Sequence, residues 1–154
     1  MSDAEALEYI RARNGVDVVD VKEMMHLFDN VGTNAAKLLT FVSRNVRVDE
    51  FIDDQLGKAR QNLVAFQLQP LLLALKEHPE EGVSPEYFGK EKYEGIDLSN
   101  PVEVGAAMKR SNAVLYDMKK RRYKLISQVH KVALRTYDPI IDYRSYTVPE
   151  KCLS

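Results

Sequence analysis

The sequence is poor in the residues and segments that mark secreted and membrane proteins. Its single cysteine among 154 residues is Cys152, so an internal disulfide is impossible, whereas secreted chains more often carry an even set. Its longest apolar run covers residues 71–75, far fewer than the roughly 20 residues needed to cross a bilayer as a helix. The first residues are acidic and polar and do not follow the pattern of a secretion signal. We therefore expect an intracellular protein without membrane insertion, in the cytoplasm or in a particle assembled inside the cell.

Motifs of catalytic and cofactor sites are missing as well. The chain has no glycine-rich phosphate loop, no Gly-x-Ser-x-Gly and no His-Glu-x-x-His. Glu23 and His26 have a metal-ligand spacing, but a di-iron bundle needs two such pairs and further glutamates. We expect no catalytic residue, no metal, no cofactor and no small-molecule substrate. An enzyme whose site is built from scattered side chains is the alternative that the sequence leaves open.

What the sequence does contain predicts helices. Hydrophobic residues make up 45% and charged residues 29% of the chain, which is typical of a globular domain. Apolar residues recur at helical spacing, and we expect little β structure. The predicted fold class is all-α, an irregular helical bundle of about five to six helices. Residues 1–135 would form a single helical domain, with acidic helices in 1–77, a connector over 78–100, a long basic amphipathic helix over about 101–135 and an extended C-terminal arm over 136–154.

Local signals place several helix ends. Ser2 followed by Glu5 is a capping-box pattern, in which each side chain accepts a hydrogen bond from the other's backbone N–H. Thr33 or Asn34 can cap a later helix. Pro70 predicts a kink or break, because proline lacks a backbone donor and clashes with the preceding turn.

The charges of the chain are segregated along the sequence. Residues 1–100 carry 11 Lys/Arg against 18 Asp/Glu, whereas residues 101–135 carry 9 against 2. A separation of this kind favours either a partnership between the two halves or binding of an external polyanion.

The long basic helix is the most informative prediction. Asn100, Pro101 and Glu103 supply a cap, a first-turn proline and a first-turn acid, and no proline follows before Pro139. On a helical wheel the apolar residues occupy one sector and the basic residues the opposite one. Such a helix would be roughly 50 Å long against about 40 Å for a compact domain of this size. Part of its apolar face would then need another chain as cover. An ordinary bundle helix, broken near Arg122, is the alternative.

Arg122 falls in the middle of that apolar sector, where an unpaired charge is costly to bury. We predict an ion pair with Asp53 or Asp54, or exposure of the charged end of the side chain. Direct contact with an acidic group of a partner is the alternative.

These features favour a non-catalytic structural or assembly subunit of a homo- or hetero-oligomeric complex, such as a coat or filament protein or a subunit of a larger complex. Its partners would be copies of itself or other protein chains, bound through the long helix and the arm. The predicted interface residues are Leu115, Met118, Arg122, Leu125, Val129, Tyr137, Ile140, Ile141, Tyr143 and Tyr146.

Nucleic acid is the alternative partner. Basic residues on one helix face could neutralise phosphates, and tyrosines beside them could stack on bases. The whole-chain pI of about 6.3 argues against this function, since dedicated nucleic-acid modules tend to exceed about 9. The predicted contact residues are Lys109, Arg110, Lys120, Arg121, Lys124, Lys131, Arg135, Tyr116 and Tyr123.

Overall fold

The computed structural model describes residues 1–14, 20–108 and 111–148 of the chain. Most residues in these ranges are helical, and five short strands accompany the helices. The α-helices within these ranges are α1 (Asp3–Asn14), α2 (Val21–Val31), α3 (Ala35–Arg44), α4 (Val48–Ala65), α5 (Gln69–Glu77), α6 (Pro101–Ala107) and α7 (Gln128–Arg135). The strands are β1 (Lys92–Tyr93), β2 (Ile96–Asp97), β3 (Val114–Asp117), β4 (Arg122–Leu125) and β5 (Tyr146–Thr147). Short 3-10 helices cover Pro85–Phe88 and Tyr143–Ser145.

Side-chain caps start the first three helices. The predicted capping box of α1 is confirmed, because the Ser2 N–H donates to Glu5 Oε2 at 2.9 Å and the Glu5 N–H donates to Ser2 Oγ at 3.2 Å. Asp20 caps α2, and Asn34 rather than Thr33 caps α3. These oxygens accept from backbone N–H groups that have no partner inside the helix.

The break predicted at Pro70 is confirmed. α4 ends at Ala65 and α5 begins at Gln69, so Pro70 lies in the first turn of α5, where a missing N–H is tolerated. The Gln69 side-chain amide donates to the carbonyl oxygens of Leu63 at 2.9 Å and Phe66 at 2.6 Å. One buried side chain therefore binds two carbonyl groups where α4 ends, those of Phe66 and of Leu63, the second of which also accepts from the Phe66 N–H at 3.3 Å.

The hydrophobic core is formed by all the α-helices, the hairpin and the connector. Within it α4 packs against α7, α2 packs against both, and α5 packs against α7 and β4. The apolar segment 71–75 is buried as its composition predicts, except that Leu73 is 37% exposed. α4 is the longest described helix at 18 residues. None of the helices within residues 1–14, 20–108 and 111–148 is long and apolar enough to cross a membrane.

The long helix predicted over residues 101–135 is wrong, and the all-α prediction is therefore confirmed only as far as a helix-rich fold. α6 starts at Pro101 with Asn100 as its cap, as predicted, but it extends only to Ala107. Residues 114–125 form the antiparallel hairpin β3–β4, and α7 is a separate helix capped by Ser127. The continuous apolar face that was expected to need another chain does not exist.

The physical reason is that this segment satisfies two periodicities. In β4 the buried Tyr123 and Leu125 alternate with the half-exposed Arg122 and Lys124, which is the pattern of a strand. The turn before β4 has no glycine or proline, so the usual hairpin signal is missing. Arg121 instead adopts the left-handed conformation, with φ 55°, that glycine or asparagine usually supplies.

The strands form two small antiparallel sheets. One has the order β2–β1–β5 and ties the C-terminal arm to the connector. The other is the β3–β4 hairpin, in which Val114 lies opposite Leu125 and Asp117 lies opposite Arg122. Val83 extends the hairpin sheet by one position, because it exchanges two backbone hydrogen bonds with Tyr123, of 3.0 and 2.8 Å.

Candidate nucleic-acid interface

The β3–β4 hairpin ends in residues 118–121, here named the basic turn. Asp117 shapes this turn, because its Oδ1 accepts from the backbone N–H of Lys119 at 3.0 Å and of Lys120 at 3.1 Å. The bond from Lys120, more than that from Lys119, holds the pKa of the Asp117 carboxyl below its usual range. Lys124 Nζ lies 3.7 Å from the other oxygen of this carboxylate. The Asp117 carboxylate is thus bound within the hairpin, by two backbone N–H groups of the turn and by Lys124.

The basic turn exposes its side chains to solvent. Met118 is 82% exposed, and Lys119, Lys120 and Arg121 are exposed after it. Among the ion pairs between described residues, none includes these three cations. Three consecutive positive charges therefore lie unpaired at one end of the hairpin.

The hairpin is fixed to the body by its strand β4. Tyr123 is fully buried, and its backbone pairs with Val83. Gly82 has a positive φ of +74°, and a Cβ added there would overlap the carbonyl oxygen of Tyr123. Such a close backbone approach requires glycine. The rigid attachment gives the basic turn a defined position relative to the core.

Arg122 does not pair with either acid predicted for it. Its Nη1 donates to the carbonyl oxygen of Gly82 at 3.3 Å. Asp54 binds Arg44 at 2.8 Å and Lys58 at 3.3 Å instead. The predicted ion pair is wrong because Arg122 lies on the outer face of a strand and not in the apolar sector of a helix. The other predicted outcome, exposure of the side chain, agrees in part with its half-exposed position.

The remaining basic residues predicted for one helix face lie on separate elements. Lys124 is beside Asp117 on the hairpin. Lys131 on α7 lies 3.4 Å from Glu80, and Arg135 is exposed at the end of α7. Lys109 and Arg110 lie outside the described residues. Of the predicted cations, the structure thus brings Lys120 and Arg121 together, and it adds Lys119, which the helical wheel had not selected.

The two tyrosines predicted beside the basic face differ in exposure. Tyr123 is fully buried, and burial raises the pKa of its hydroxyl strongly. Its ring packs against Tyr116 with centroids 5.1 Å apart. Tyr116 is only half-buried. Of these two tyrosines, only Tyr116 exposes part of its side chain to solvent.

Interface residues predicted along the long helix are likewise redistributed. Leu115 is 41% exposed on the outer face of the hairpin, and Met118 is in the basic turn. Leu125 and Val129 are buried in this chain's own core. The prediction that these residues form one interface along a single helix is therefore wrong.

The described part of the C-terminal arm, residues 136–148, packs on its own chain. Gln69 Oε1 accepts from the Tyr137 hydroxyl at 2.8 Å and from the Ile140 N–H at 3.0 Å. Tyr146 packs edge-on against Tyr93 at 5.3 Å, and burial raises its pKa to about 12. Ile141 also packs against the core. Two side chains predicted for an interface are exposed, Ile140 by 75% and Tyr143 by 74%, although the Tyr143 ring stacks on Tyr146 with centroids 6.3 Å apart.

A polar cluster around the buried His130 was not predicted from the sequence. Asn62 Nδ2 lies 3.0 Å from His130 Nε2 and 3.4 Å from the carbonyl oxygen of Asn112, so it donates to both. His130 Nδ1 then carries the proton and donates to Ser127 Oγ at 2.6 Å. Burial, with a smaller contribution from the charge of Lys37, lowers the pKa of His130 to about 4. The available signal was Ser127 three residues before His130, the spacing of a helix cap.

Glu23 and His26, the pair with metal-ligand spacing, do not belong to a larger group of metal ligands among the described residues. His26 Nε2 lies 3.6 Å from Asp49 Oδ1, and both side chains are exposed. Within the part of the chain that the structure describes, no group of three or more His, Cys, Asp or Glu side chains could hold a metal ion. Cys152 lies outside that part. No protein family, no curated protein and no solved structure matches this chain.

Proposed function

We propose that this chain binds nucleic acid and that the basic turn contacts the phosphate backbone. The observation that carries the proposal is the side-by-side placement of Lys119, Lys120 and Arg121 at the exposed end of a hairpin. Cations in this arrangement can neutralise neighbouring phosphates and release their condensed counterions. The proposed action is binding and not catalysis.

The charge distribution favours one orientation on a polyanion. Residues 1–100 carry an excess of acids, with 18 Asp/Glu against 11 Lys/Arg. A polyanion would repel this part of the body and attract the basic turn. The near-neutral charge of the whole chain is therefore compatible with binding through one local surface.

A binding titration with a charge-matched control tests the proposal. The probe is a fluorescently labelled random-sequence DNA duplex at low salt, followed by anisotropy. We expect the triple variant K119Q/K120Q/R121Q to bind at least about tenfold more weakly than the wild type. The control K22Q/K58Q/K90Q removes the same charge from exposed sites elsewhere and should retain affinity. Absence of wild-type binding at about 50 mM salt would overturn the proposal.

Assembly through the C-terminal arm is the second proposal. It is supported by the exposed apolar side chains of Ile140 and Tyr143, 75% and 74% accessible, because exposed apolar surface of this kind favours protein contacts. Partners would be copies of this chain or other proteins. Sedimentation of the wild type and of I140S/Y143S tests it, with V102S on α6 as the control, since Val102 is 80% exposed. A wild type that stays monomeric at micromolar concentration would contradict self-assembly.

A further inference from the structure

A cleft of about 490 Å³ lies between the C-terminal ends of α4 and α6 and the segment that leads into β3. Its volume is within the range of roughly 300–1,000 Å³ that is typical of small-molecule sites. The residues lining it are Asn62, Ala65, Phe66, Gln67, Ala106, Ala107, Ser111 and Asn112. None of these described lining residues carries a charge, while Lys109 and Arg110, between Ala107 and Ser111 in the chain, lie outside the described residues.

The lining suits a flat, neutral ligand. Three alanines and the ring of Phe66 supply apolar contact, while the polar groups are amides and one hydroxyl. A charged ligand would lose its hydration in this cleft without gaining an opposite charge from these lining residues. A nucleobase is uncharged and planar, and its edge combines hydrogen-bond donors with acceptors.

Two lining groups offer a matching donor and acceptor. The amide nitrogen of Asn62 is used by His130 and Asn112, and its Oδ1 has no hydrogen-bond partner among the described residues. Ser111 Oγ accepts from the N–H of Ala113 at 3.1 Å and of Val114 at 3.3 Å. Its hydroxyl proton has no acceptor within the same part of the chain. An acceptor and a donor are therefore both present among the residues that line the cleft, and the amide-like edge of a base bonds with these two kinds of group.

The His130 cluster keeps the acceptor in place. The carbonyl oxygen of Asn112 can only accept, so the Asn62 amide nitrogen faces it at 3.4 Å. In this orientation the amide nitrogen also lies 3.0 Å from His130 Nε2, and burial keeps the histidine neutral at pH 7 and so able to accept. A polar group held this way by a second layer of contacts is preorganised for a ligand.

We propose that this cleft binds an uncharged nucleobase. The base has two possible sources, a free nucleoside or an unpaired base of a bound strand. The segment Ser111–Asn112 lines the cleft and runs directly into β3, which ends at the basic turn. A strand could therefore contact the turn with its phosphates while one base occupies the cleft. The strand source rests on the proposed function, whereas the free nucleoside source does not.

The test is a titration of the ¹⁵N-labelled chain with adenosine, guanosine, cytidine and uridine, followed by amide chemical shifts. We expect saturable shifts at Ala107 and Asn112 with at least one nucleoside, and none with ribose. In A106L the added side chain occupies the cleft, since Ala106 lines it, and binding should weaken by about tenfold or more. V102L adds bulk at a solvent-exposed position of the same helix and should bind as the wild type does.

Three further comparisons separate the sources and the proposals. Cleft shifts produced by a short single-stranded oligonucleotide and lost in A106L identify a strand base as the occupant. Cleft shifts with nucleosides alone identify a free ligand. K119Q/K120Q/R121Q should retain nucleoside binding, so a failure of phosphate binding at the turn leaves this inference standing. The inference is overturned if no nucleoside gives saturable cleft shifts, or if A106L binds as tightly as the wild type.

Discussion

Gly82 and Tyr123 come so close that the carbonyl oxygen of Tyr123 occupies the space where a Cβ of residue 82 would be. The Val83 backbone, one residue on, pairs with the same tyrosine. This approach of two backbone segments fixes the hairpin to the body and so positions the basic turn. A side chain at residue 82 would have to push the hairpin away.

Gly82→Ala should therefore destabilise the fold. The added Cβ meets backbone, which cannot rotate away, and the φ of +74° is unfavourable for an L-residue. We expect a loss of about 2–4 kcal/mol in the free energy of unfolding, measured by urea denaturation.

Two glycine variants serve as matched controls. Gly95→Ala shares the positive φ but meets no atom within 4 Å, so it reports backbone strain without the clash. Gly105→Ala, on α6, also meets nothing and should be neutral or stabilising by roughly 0.5–1 kcal/mol. If Gly82→Ala costs no more than Gly95→Ala, the close approach does not fix the hairpin.

Tyr123→Phe should leave stability unchanged or raise it by up to about 1 kcal/mol. The Tyr123 hydroxyl is buried and has no hydrogen-bond partner among the residues that the structure describes, so its removal relieves a desolvation cost. Tyr137→Phe is the contrasting variant, because that hydroxyl donates to Gln69 Oε1 at 2.8 Å. It should cost about 1 kcal/mol. Thermal unfolding of both variants checks the difference, and a marked loss in Tyr123→Phe would show that the hydroxyl is satisfied.

The helices before residue 78 could be predicted because their signals are local. The capping box at Ser2, the cap at Asn34 and the break at Pro70 each depend on residues a few positions apart, and the structure confirms them. The connector was predicted only in part, since its β1–β2 pairing was missed.

The second half could not be predicted in the same way. Choosing a hairpin over a helix depended on Tyr123 pairing with Val83, 40 residues earlier in the chain, and local periodicity holds no information about that contact. The turn could not be recognised from the sequence because Arg121, and not a glycine, adopts the left-handed conformation there. Of the candidate site, Lys120 and Arg121 were selected from the sequence as cations, but their position at the end of a hairpin was not. Phe66 and Ser111 both line the cleft, but the sequence placed them in two separate predicted helices.

The stability of the fold should fall between pH 6.5 and about pH 4 because of His130. In the unfolded chain the pKa of this histidine is about 6.5, whereas burial in the folded chain lowers the pKa to about 4. The unfolded state thus holds more protons in this window, and the free energy of unfolding falls as the pH drops. At about 1.4 kcal/mol per pKa unit, the total loss is about 3 kcal/mol.

Urea denaturation at several pH values checks this window. His130→Gln removes the titrating group and should flatten the dependence between pH 6.5 and 4, although its stability at pH 7 will be lower. An unchanged pH dependence in this variant would assign the effect to other groups.

Asp117 variants separate the shape of the basic turn from its charge. Asp117→Asn retains an oxygen that can accept from Lys119 and Lys120, so the turn should persist while a negative charge beside the cations is removed. We expect DNA affinity to rise by about two- to threefold at low salt. Asp117→Ala loses the acceptor as well and should gain less, because the turn loosens. Weaker binding by Asp117→Asn in the anisotropy titration would contradict phosphate contact at the turn.

The salt dependence of duplex binding tests phosphate contact by the basic turn most directly. Each phosphate neutralised contributes about 0.9 to the slope of log Kobs against log salt concentration. K119Q/K120Q/R121Q should therefore reduce the magnitude of the slope by about two to three, while K22Q/K58Q/K90Q should leave it unchanged. Equal slopes for the wild type and the turn variant would contradict the proposed function.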